Sequence, residues 1–360
     1  MGNTSSLTAP LAGESTLQPE LLPHEHFWVL LQPYLLKQGY KLRPRYDPKW
    51  KPSWKRRRWF RNDFTPEDKV PIRKPDVIDA MRIRDDTAVV LKVVERFGDE
   101  LRIIQYLNSE PLRADPRNHT VPLLDVVALP NYGDRVIIVM PMLTGFCSLP
   151  FRYVSEVMEA LDQFLEGLAF MHDNGVIHRD SCRLNLMMDT TKIIPGGFHF
   201  LWRIVELDGK TPIQWHDRRS VSPVSYYFID FGLSMLVSKD EDYVPIYGWF
   251  GQDRTVPECF SGAPYNAYHL DVYQLGNIIR RLCQAYPALA FLIPLGEAMT
   301  HQKPTKRPGA GQASQLLRYI LSKLSKDQLA ERIWHRDVTA EERQMVEENG
   351  VNPMMCASDI

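Results

Sequence analysis

His178-Arg179-Asp180-Ser181-Cys182-Arg183-Leu184-Asn185, with Asp230-Phe231-Gly232 further along, decides how this chain is read. The first run offers a carboxylate and, five residues later, an amide; the second offers another carboxylate in front of a glycine. Ile177 before the first run and Leu186-Met187-Met188 after it are apolar, so the polar residues between them form a tight loop with strand-like flanks. Tyr226-Tyr227-Phe228-Ile229 feeds Asp230 in the same way. Carboxylate and amide oxygens are hard donors of the kind that suit magnesium. Each tripeptide alone is a common accident, and ordinary turn carboxylates are the plain alternative. The order of the runs and their flanks argue against it.

Further runs lie on both sides. Ala88-Val89-Val90-Leu91-Lys92-Val93-Val94 is an apolar strand with one lysine inside it, costly to bury unless paired. Asp99–Leu107 has helical periodicity, with Glu100, Ile103, Ile104 and Leu107 on one face and Asp99 expected as its cap. A solvated surface position is the bland alternative for Glu100. Arg135–Leu143 reads as a strand ending at Pro141, which offers a carbonyl and no N–H. Ser155–His172 is an amphipathic helix with Val157, Leu161, Phe164, Leu165, Leu168 and Met171 on one stripe, and Ser155 is the expected N-cap. That stripe reads as core. Asp173-Asn174-Gly175 then turns the chain into the first run. Later come Val256-Pro257-Glu258, Asp271-Val272-Tyr273-Gln274-Leu275-Gly276 and Lys306-Arg307-Pro308.

Taken in order from about Asp76 to Leu324, these runs resemble the eukaryotic protein kinase superfamily. Leu42-Arg43-Pro44-Arg45-Tyr46, Trp50 and Pro52-Ser53-Trp54 are further similar to the fungal, mushroom-type protein-kinase-like family. The resemblance implies an α+β, bilobal protein kinase fold with a small β-rich N-lobe and a larger, mainly helical C-lobe. It divides the chain into an N-terminal arm (1–75), N-lobe and hinge (76–143), C-lobe (144–325) with an insertion at about 190–224, and a C-terminal tail (326–360).

The implied activity is transfer of the γ-phosphate of ATP to a protein hydroxyl, on Ser/Thr ahead of Tyr. Phosphoryl transfer asks mainly for positioning and for neutralisation of spreading negative charge. In that scheme Asp180 sits beside the attacking hydroxyl, and Asn185 and Asp230 hold Mg2+ against the β- and γ-phosphates. Lys92 grips the α- and β-phosphates and is paired by Glu100, with Glu95 as a substitute. Val90 lies beneath adenine, Met140 is the gatekeeper, and Leu143 supplies the hinge N–H. Glu258 pairs with Arg307, and Asp271 accepts backbone N–H groups of the loop around Asp180. This last set argues against a small-molecule kinase of the aminoglycoside or choline type. The runner-up is a pseudokinase, a binding module that regulates a partner.

Three departures from the family pattern stand out. Asp76–Asp86 contains no glycine, whereas a glycine-rich loop lets backbone N–H groups approach the phosphates. Cys182 stands where serine/threonine kinases place a lysine, with Arg183 next to it as a substitute. Gly251 stands where they keep a threonine, with Thr255 nearby. In the segment from Asp230 to Glu258, Ser238, Tyr243 and Tyr247 are candidate phosphorylation sites, and Arg179 is their candidate basic partner.

Composition bounds the rest. The chain has 360 residues, enough for one such enzyme with extensions, and 44% hydrophobic content supports a sizeable core. A formal net charge of −1 argues against general nucleic-acid affinity. Cys147, Cys182, Cys259, Cys283 and Cys356 are scattered without paired metal spacing and fit a reducing compartment. No signal peptide, bilayer-spanning run or internal repeat is evident, and the expected location is cytoplasmic, with nuclear or membrane association as alternatives. Met1-Gly2-Asn3-Thr4-Ser5-Ser6 fits the loose N-myristoylation pattern, which anchors weakly on its own. Lys51, Lys55, Arg56, Arg57, Arg58 and Arg61, interleaved with Trp54, Trp59 and Phe60, could add a second membrane signal or an import patch. Tryptophans docking the N-terminal arm onto the small lobe is the stronger reading of that cluster. The insertion, with Pro195-Gly196-Gly197, reads as a surface excursion, and the tail after Ala340 as a short acidic helix with a loose end.

Overall fold

The computed structural model describes residues 20–56 and 66–349 of this mixed α and β chain, whose antiparallel sheet is curled. The described residues form two compact units. The first comprises residues 20–56, 66–96, 122–142 and 196–214; the second comprises 97–121, 143–195 and 215–349. The calls on Gly2, on Arg57, Arg58, Trp59, Phe60 and Arg61, and on the loose end lie outside the described residues.

In the first unit, helix α1 (Glu25–Lys37) precedes strand β1 (Tyr40–Leu42) and a four-residue helix, α2 (Ser53–Arg56). Strands β2 (Val77–Arg82), β3 (Thr87–Glu95), β4 (Asp125–Ala128) and β5 (Arg135–Pro141) join β1 in an antiparallel sheet of order β1-β2-β3-β5-β4. Alternation sets the faces: Val89, Leu91 and Val93 are buried while Val90 and Lys92 are half-buried on the opposite side. Phe27, Trp28, Leu31 and Leu35 recur at helical spacing on α1 and join Ile78, Ala80, Leu91 and Val139 in one core cluster. The Trp28 indole N–H donates to the Pro75 carbonyl at 2.9 Å.

A buried polar cluster fixes the chain ahead of β2. Glu25 accepts from Arg45 Nε at 2.8 Å and Nη2 at 2.7 Å, and from the Tyr46 hydroxyl at 2.9 Å. Burial alone would raise the Glu25 pKa, but the Arg45 hydrogen bonds carry it below the usual carboxylate range. Asp68 accepts from Trp50 Nε1 at 3.0 Å and from Ser53 N at 2.9 Å. Trp54 meets Trp50 edge-on at 5.6 Å. The glycine-free stretch forms β2, a turn and the start of β3, with Asp86 at φ +51° and Arg82 paired to Asp85 at 2.6 Å.

The second unit opens with α3 (Asp99–Leu107), the short strand β6 (Thr144–Gly145) and the long helix α4 (Val154–Asp173). Two of the expected caps are absent: Gly98 precedes α3 with Asp99 as its first residue, and Tyr153 precedes α4. Ser155 Oγ is buried inside α4 without a hydrogen-bond partner, because Ser155 is the second residue of the helix rather than the residue before its first turn. Strand β7 (Val176–Ile177) follows, then β8 (Leu186–Met188), the one-turn helix α5 (Arg218–Val221) and β9 (Tyr226–Phe228). Strands β10 (Met235–Leu236), β11 (Pro245–Ile246) and β12 (Tyr265–Asn266) lead into α6 (Ala267–Ala285), α7 (Ile293–Met299), α8 (Ala310–Lys323), α9 (Lys326–Leu329) and α10 (Ala340–Asn349).

Phe164 of α4 packs its ring at 5.2 Å from Phe146, 5.5 Å from Tyr226 and 5.6 Å from Phe228, so the stripe read as core is core. The stretch from 190 to 224 is no mere surface excursion. Ile193, Ile194, Phe198, His199, Ile213 and Arg218 are buried, and Arg218 donates to the carbonyls of Phe146, Leu149 and Pro150, each at 2.9 Å. No helix among the described residues is long and apolar enough to cross a membrane.

Candidate functional site

The loop between β7 and β8 carries Asp180 and Asn185, and it is held from below by α6. Asp271, fully buried on α6, accepts from His178 N at 2.7 Å and Arg179 N at 2.6 Å, and lies 3.0 Å from His172 Nε2. Gln274, one turn along α6, accepts from Ser181 N at 2.8 Å and donates to the Arg179 carbonyl at 3.3 Å. Two side chains of one helix face therefore clamp His178, Arg179 and Ser181 on either side of Asp180, and Arg179 is kept in the left-handed region at φ +62°. Holding a non-glycine residue there costs about 1–2 kcal/mol, which the charge-assisted bonds to Asp271 offset.

Asp180 is 6% exposed, and its carboxylate is surrounded by amides. Asn185 Nδ2 donates to Asp180 Oδ2 at 2.9 Å and to the Asp180 carbonyl at 2.9 Å. Gln252 N donates to Asp180 Oδ1 at 2.8 Å, and Gln252 Nε2 reaches Oδ2 at 3.4 Å. Gly251 makes this approach feasible. A Cβ at that position would lie 2.6 Å from Asp180 Oδ1 and 2.8 Å from the Arg179 carbonyl, and its φ of +77° disfavours any side chain.

Cys182, also buried beside Asp180, has its thiol pKa pushed up to about 12, first by burial and then by the Asp180 charge. It is a neutral thiol, not a nucleophile. Neither substitute suggested by the sequence reaches Asp180 through a hydrogen bond. The Arg183 guanidinium turns to Cys147 Sγ at 3.9 Å, and the Thr255 hydroxyl bonds Asp253 at 2.7 Å. An N–H donor from the main chain of Gln252 stands in their place.

Strands β8 and β9 pair with Leu186 opposite Phe228, and the Ile229 N–H continues the ladder to the Asn185 carbonyl at 3.0 Å. The residue after Ile229 is Asp230, so this pairing carries Asp230 to the same end of the two strands as Asn185. Asp230 adopts φ +65°, and the turn it opens packs on α3 through buried Phe231. A Cβ on Gly232 would be 3.4 Å from both Asp230 Oδ1 and Glu100 Oε2, which puts the Glu100 carboxylate at this turn.

The remaining sequence-predicted positions lie along β3 and β5 of the first unit. Val90 stands opposite Met140 and Lys92 opposite Ile138, and Lys92 is half-buried in the middle of the sheet. The chain passes from the first unit to the second between Met142 and Leu143. Glu95, the alternative partner for Lys92, is exposed at the end of β3.

Asn185 spends its Nδ2 on Asp180, which leaves its Oδ1 as an acceptor beside Asp230. No group of three or more His, Cys, Asp or Glu among the described residues could hold a metal alone. A donor set of one amide and one carboxylate oxygen fits magnesium, which keeps waters and takes phosphate oxygens, rather than an ion caged wholly by protein.

Beyond the loop, Arg307 forms a fork to Glu258, Nη1 to Oε1 at 2.5 Å and Nη2 to Oε2 at 2.7 Å, and stacks on Tyr273 at 4.6 Å. Arg179 donates to the Leu233 carbonyl and covers the Phe250 ring at 4.3 Å. Burial lowers the Arg179 pKa, although Asp271 opposes the shift. Ser238, Tyr243 and Tyr247 are all exposed. Sequence reasoning missed Gln252, Gln274 and His172. For Gln274 a signal existed, since it lies one turn after Asp271 and shares its helix face. No protein-family model matches this chain, and no curated protein matches it.

Proposed function

We propose that the chain is a protein kinase that transfers the γ-phosphate of ATP to a protein hydroxyl, with the first unit as its small lobe and the second as its large lobe. The observation that carries the reading is the Asp271-anchored loop, on which Asp180 and Asn185 are hydrogen-bonded to each other and Asp230 follows the paired strand. In this reading Asp180 orients the attacking hydroxyl and accepts its proton. Lys92 supplies a fixed cation for the α- and β-phosphates, and Glu100 is its counter-charge. Val90 and Met140 flank adenine, and Leu143 offers an N–H. Mg2+, held by Asn185 and Asp230, would neutralise charge on the phosphates. The Glu258–Arg307 fork fixes the end of the segment that starts at Asp230, a role in which geometry matters more than net energy.

Incubation with labelled ATP and magnesium tests this. Wild type is expected to incorporate phosphate, and Lys92→Met and Asp180→Asn are expected to lose nearly all of it. Equal incorporation by all three would refute the assignment.

One observation favours the pseudokinase as a second reading. The β2–β3 turn has no glycine, and Ile83 at that turn is 53% exposed, so side chains stand where backbone N–H groups would meet phosphates. A thermal-shift titration separates the two, because a ligand that binds only the native state raises its apparent stability. No shift at millimolar ATP with magnesium favours the binding module; a shift in Asp180→Asn without turnover favours the enzyme.

A further inference from the structure

Next to Asp180, on the side where Gln252 caps it, the second unit holds a cavity of about 190 Å³. Its walls come from three places: Cys182, Arg183 and Leu184 of the loop, Gln252 and Asp253 of the later segment, and Gln274, Asn277 and Arg281 of α6. Liquid water occupies about 30 Å³ per molecule, so the space takes one side chain with its hydration.

The charges within it are unequally committed. Asp253 is its one wall carboxylate and is already engaged on both oxygens. Its Oδ1 accepts from Thr255 N at 2.9 Å and Thr255 Oγ1 at 2.7 Å, and its Oδ2 accepts from Asn277 Nδ2 at 2.8 Å. Asp180, behind Gln252, also has both oxygens engaged by amide donors. Arg183 and Arg281 are different. Neither has a carboxylate partner among the described residues: Arg183 reaches only Cys147 Sγ, and Arg281 is exposed on α6. The cavity therefore offers two guanidinium groups with donors to spare, against a single wall carboxylate that already accepts three hydrogen bonds. A carboxylate or phosphate oxygen finds partners there, whereas a lysine or arginine meets two like charges.

We infer that this cavity selects the substrate of the proposed reaction, receiving an acidic side chain that flanks the acceptor hydroxyl. The inference rests on the kinase reading for the word substrate, but not for the binding itself. Aspartate, glutamate and phosphoserine share the chemistry, and the test distinguishes them.

The test measures binding by fluorescence anisotropy, apart from turnover, on the full chain. Labelled serine peptides carry Glu, phosphoserine, Gln or Arg at each of the three positions on either side of the acceptor. Wild type is expected to bind the best Glu or phosphoserine peptide about tenfold more tightly than its Arg counterpart. Arg281→Glu, an exposed substitution that leaves the fold intact, is expected to abolish or reverse that preference. Preference for Glu alone identifies a carboxylate pocket, and preference for phosphoserine alone a phosphate pocket. Equal binding of acidic and basic peptides, or a preference that Arg281→Glu leaves unchanged, overturns the inference. Phosphate transfer to the same peptides is followed in parallel. Selective binding without transfer keeps the pocket and removes the enzymatic reading; transfer without selectivity does the reverse.

Discussion

Asp271→Asn is the sharpest probe of the loop. The wild-type carboxylate, with no exposure to solvent, accepts two backbone N–H groups at 2.7 and 2.6 Å and lies 3.0 Å from His172 Nε2. An asparagine keeps one oxygen. Its NH2 must then face the Arg179 N–H or, turned over, the His178 N–H together with the His172 imidazole. One charge-assisted bond is lost, worth about 1.5–3 kcal/mol, and a buried N–H is left without an acceptor at about 1–3 kcal/mol. The left-handed Arg179 adds to the effect, because the strain that Asp271 held in place is free to relax. The sum is about 3–5 kcal/mol of local stability. A chain of two compact units need not unfold in a single step, so a global midpoint is a blunt readout. Native-state hydrogen exchange at the His178 and Arg179 amides is the direct assay, since it reads the opening of that loop. Protection at both should fall by at least a hundredfold, about 2.7 kcal/mol, while β3 and β5 keep theirs. Unchanged protection at both amides, with a global loss under about 1 kcal/mol, would refute the anchoring argument.

Three other perturbations test different parts of the molecule. Gly251→Ala places a Cβ 2.6 Å from Asp180 Oδ1 at a φ of +77°; a loss of about 2–3 kcal/mol in urea unfolding is expected, together with release of the Gln252 cap. Arg307→Ala strands a buried Glu258 and should cost about 3–5 kcal/mol, whereas Glu258→Leu with Arg307→Met should recover part of it. Recovery is partial because Arg307 also donates to the His301 and His269 carbonyls, and urea midpoints of wild type and the two variants report the difference. Glu25 has a depressed folded pKa, so its contribution is complete above the unfolded value of about 4.3 and is lost as the pH falls through the lower folded value. Acid titration followed by tryptophan fluorescence should show Glu25→Gln to be less stable at neutral pH, with the gap closing in acid.

Much of this arrangement was legible in the sequence, and the parts that were not share a physical cause. The β3 alternation, the α4 stripe and the turn at Asp173-Asn174-Gly175 are local signals, written by neighbours in the chain, and they appear where periodicity puts them. Asp271 and the Glu258–Arg307 fork are long-range contacts, yet a resemblance in spacing was enough to foresee their partners. The surroundings of Asp180 were not foreseen. Whether Thr255, Arg183 or Gln252 meets that carboxylate depends on where the backbone after Phe250 comes to rest, and no periodicity encodes this. The missed caps have a simpler origin: a two-residue shift in the start of α4 turns Ser155 from a cap into an interior residue. Likewise, α1 carries its apolar residues at clear helical spacing but offers no motif to draw the eye.

The two departures at Cys182 and Gly251, read separately, look like losses; the geometry makes them one change. At 182 a lysine is replaced by a buried neutral thiol next to Asp180, which brings no positive charge to the carboxylate. A threonine at 251 would put a Cβ within 2.6 Å of the same carboxylate. A side chain at 251 excludes the contact that Gln252 makes, so a lysine at 182 alone would still meet a carboxylate held by Gln252. What replaces the charge is a set of dipoles: Asn185 Nδ2, Gln252 N and Gln252 Nε2, all within 3.4 Å of Asp180. Amides orient a carboxylate without neutralising it. Under the kinase reading the incoming hydroxyl thus meets a carboxylate held by dipoles, and positive charge on the substrate side falls to Arg183 and Arg281 at the cavity next door. A substrate that carries its own acidic group is the natural complement of a base ringed by amides with arginines beyond it.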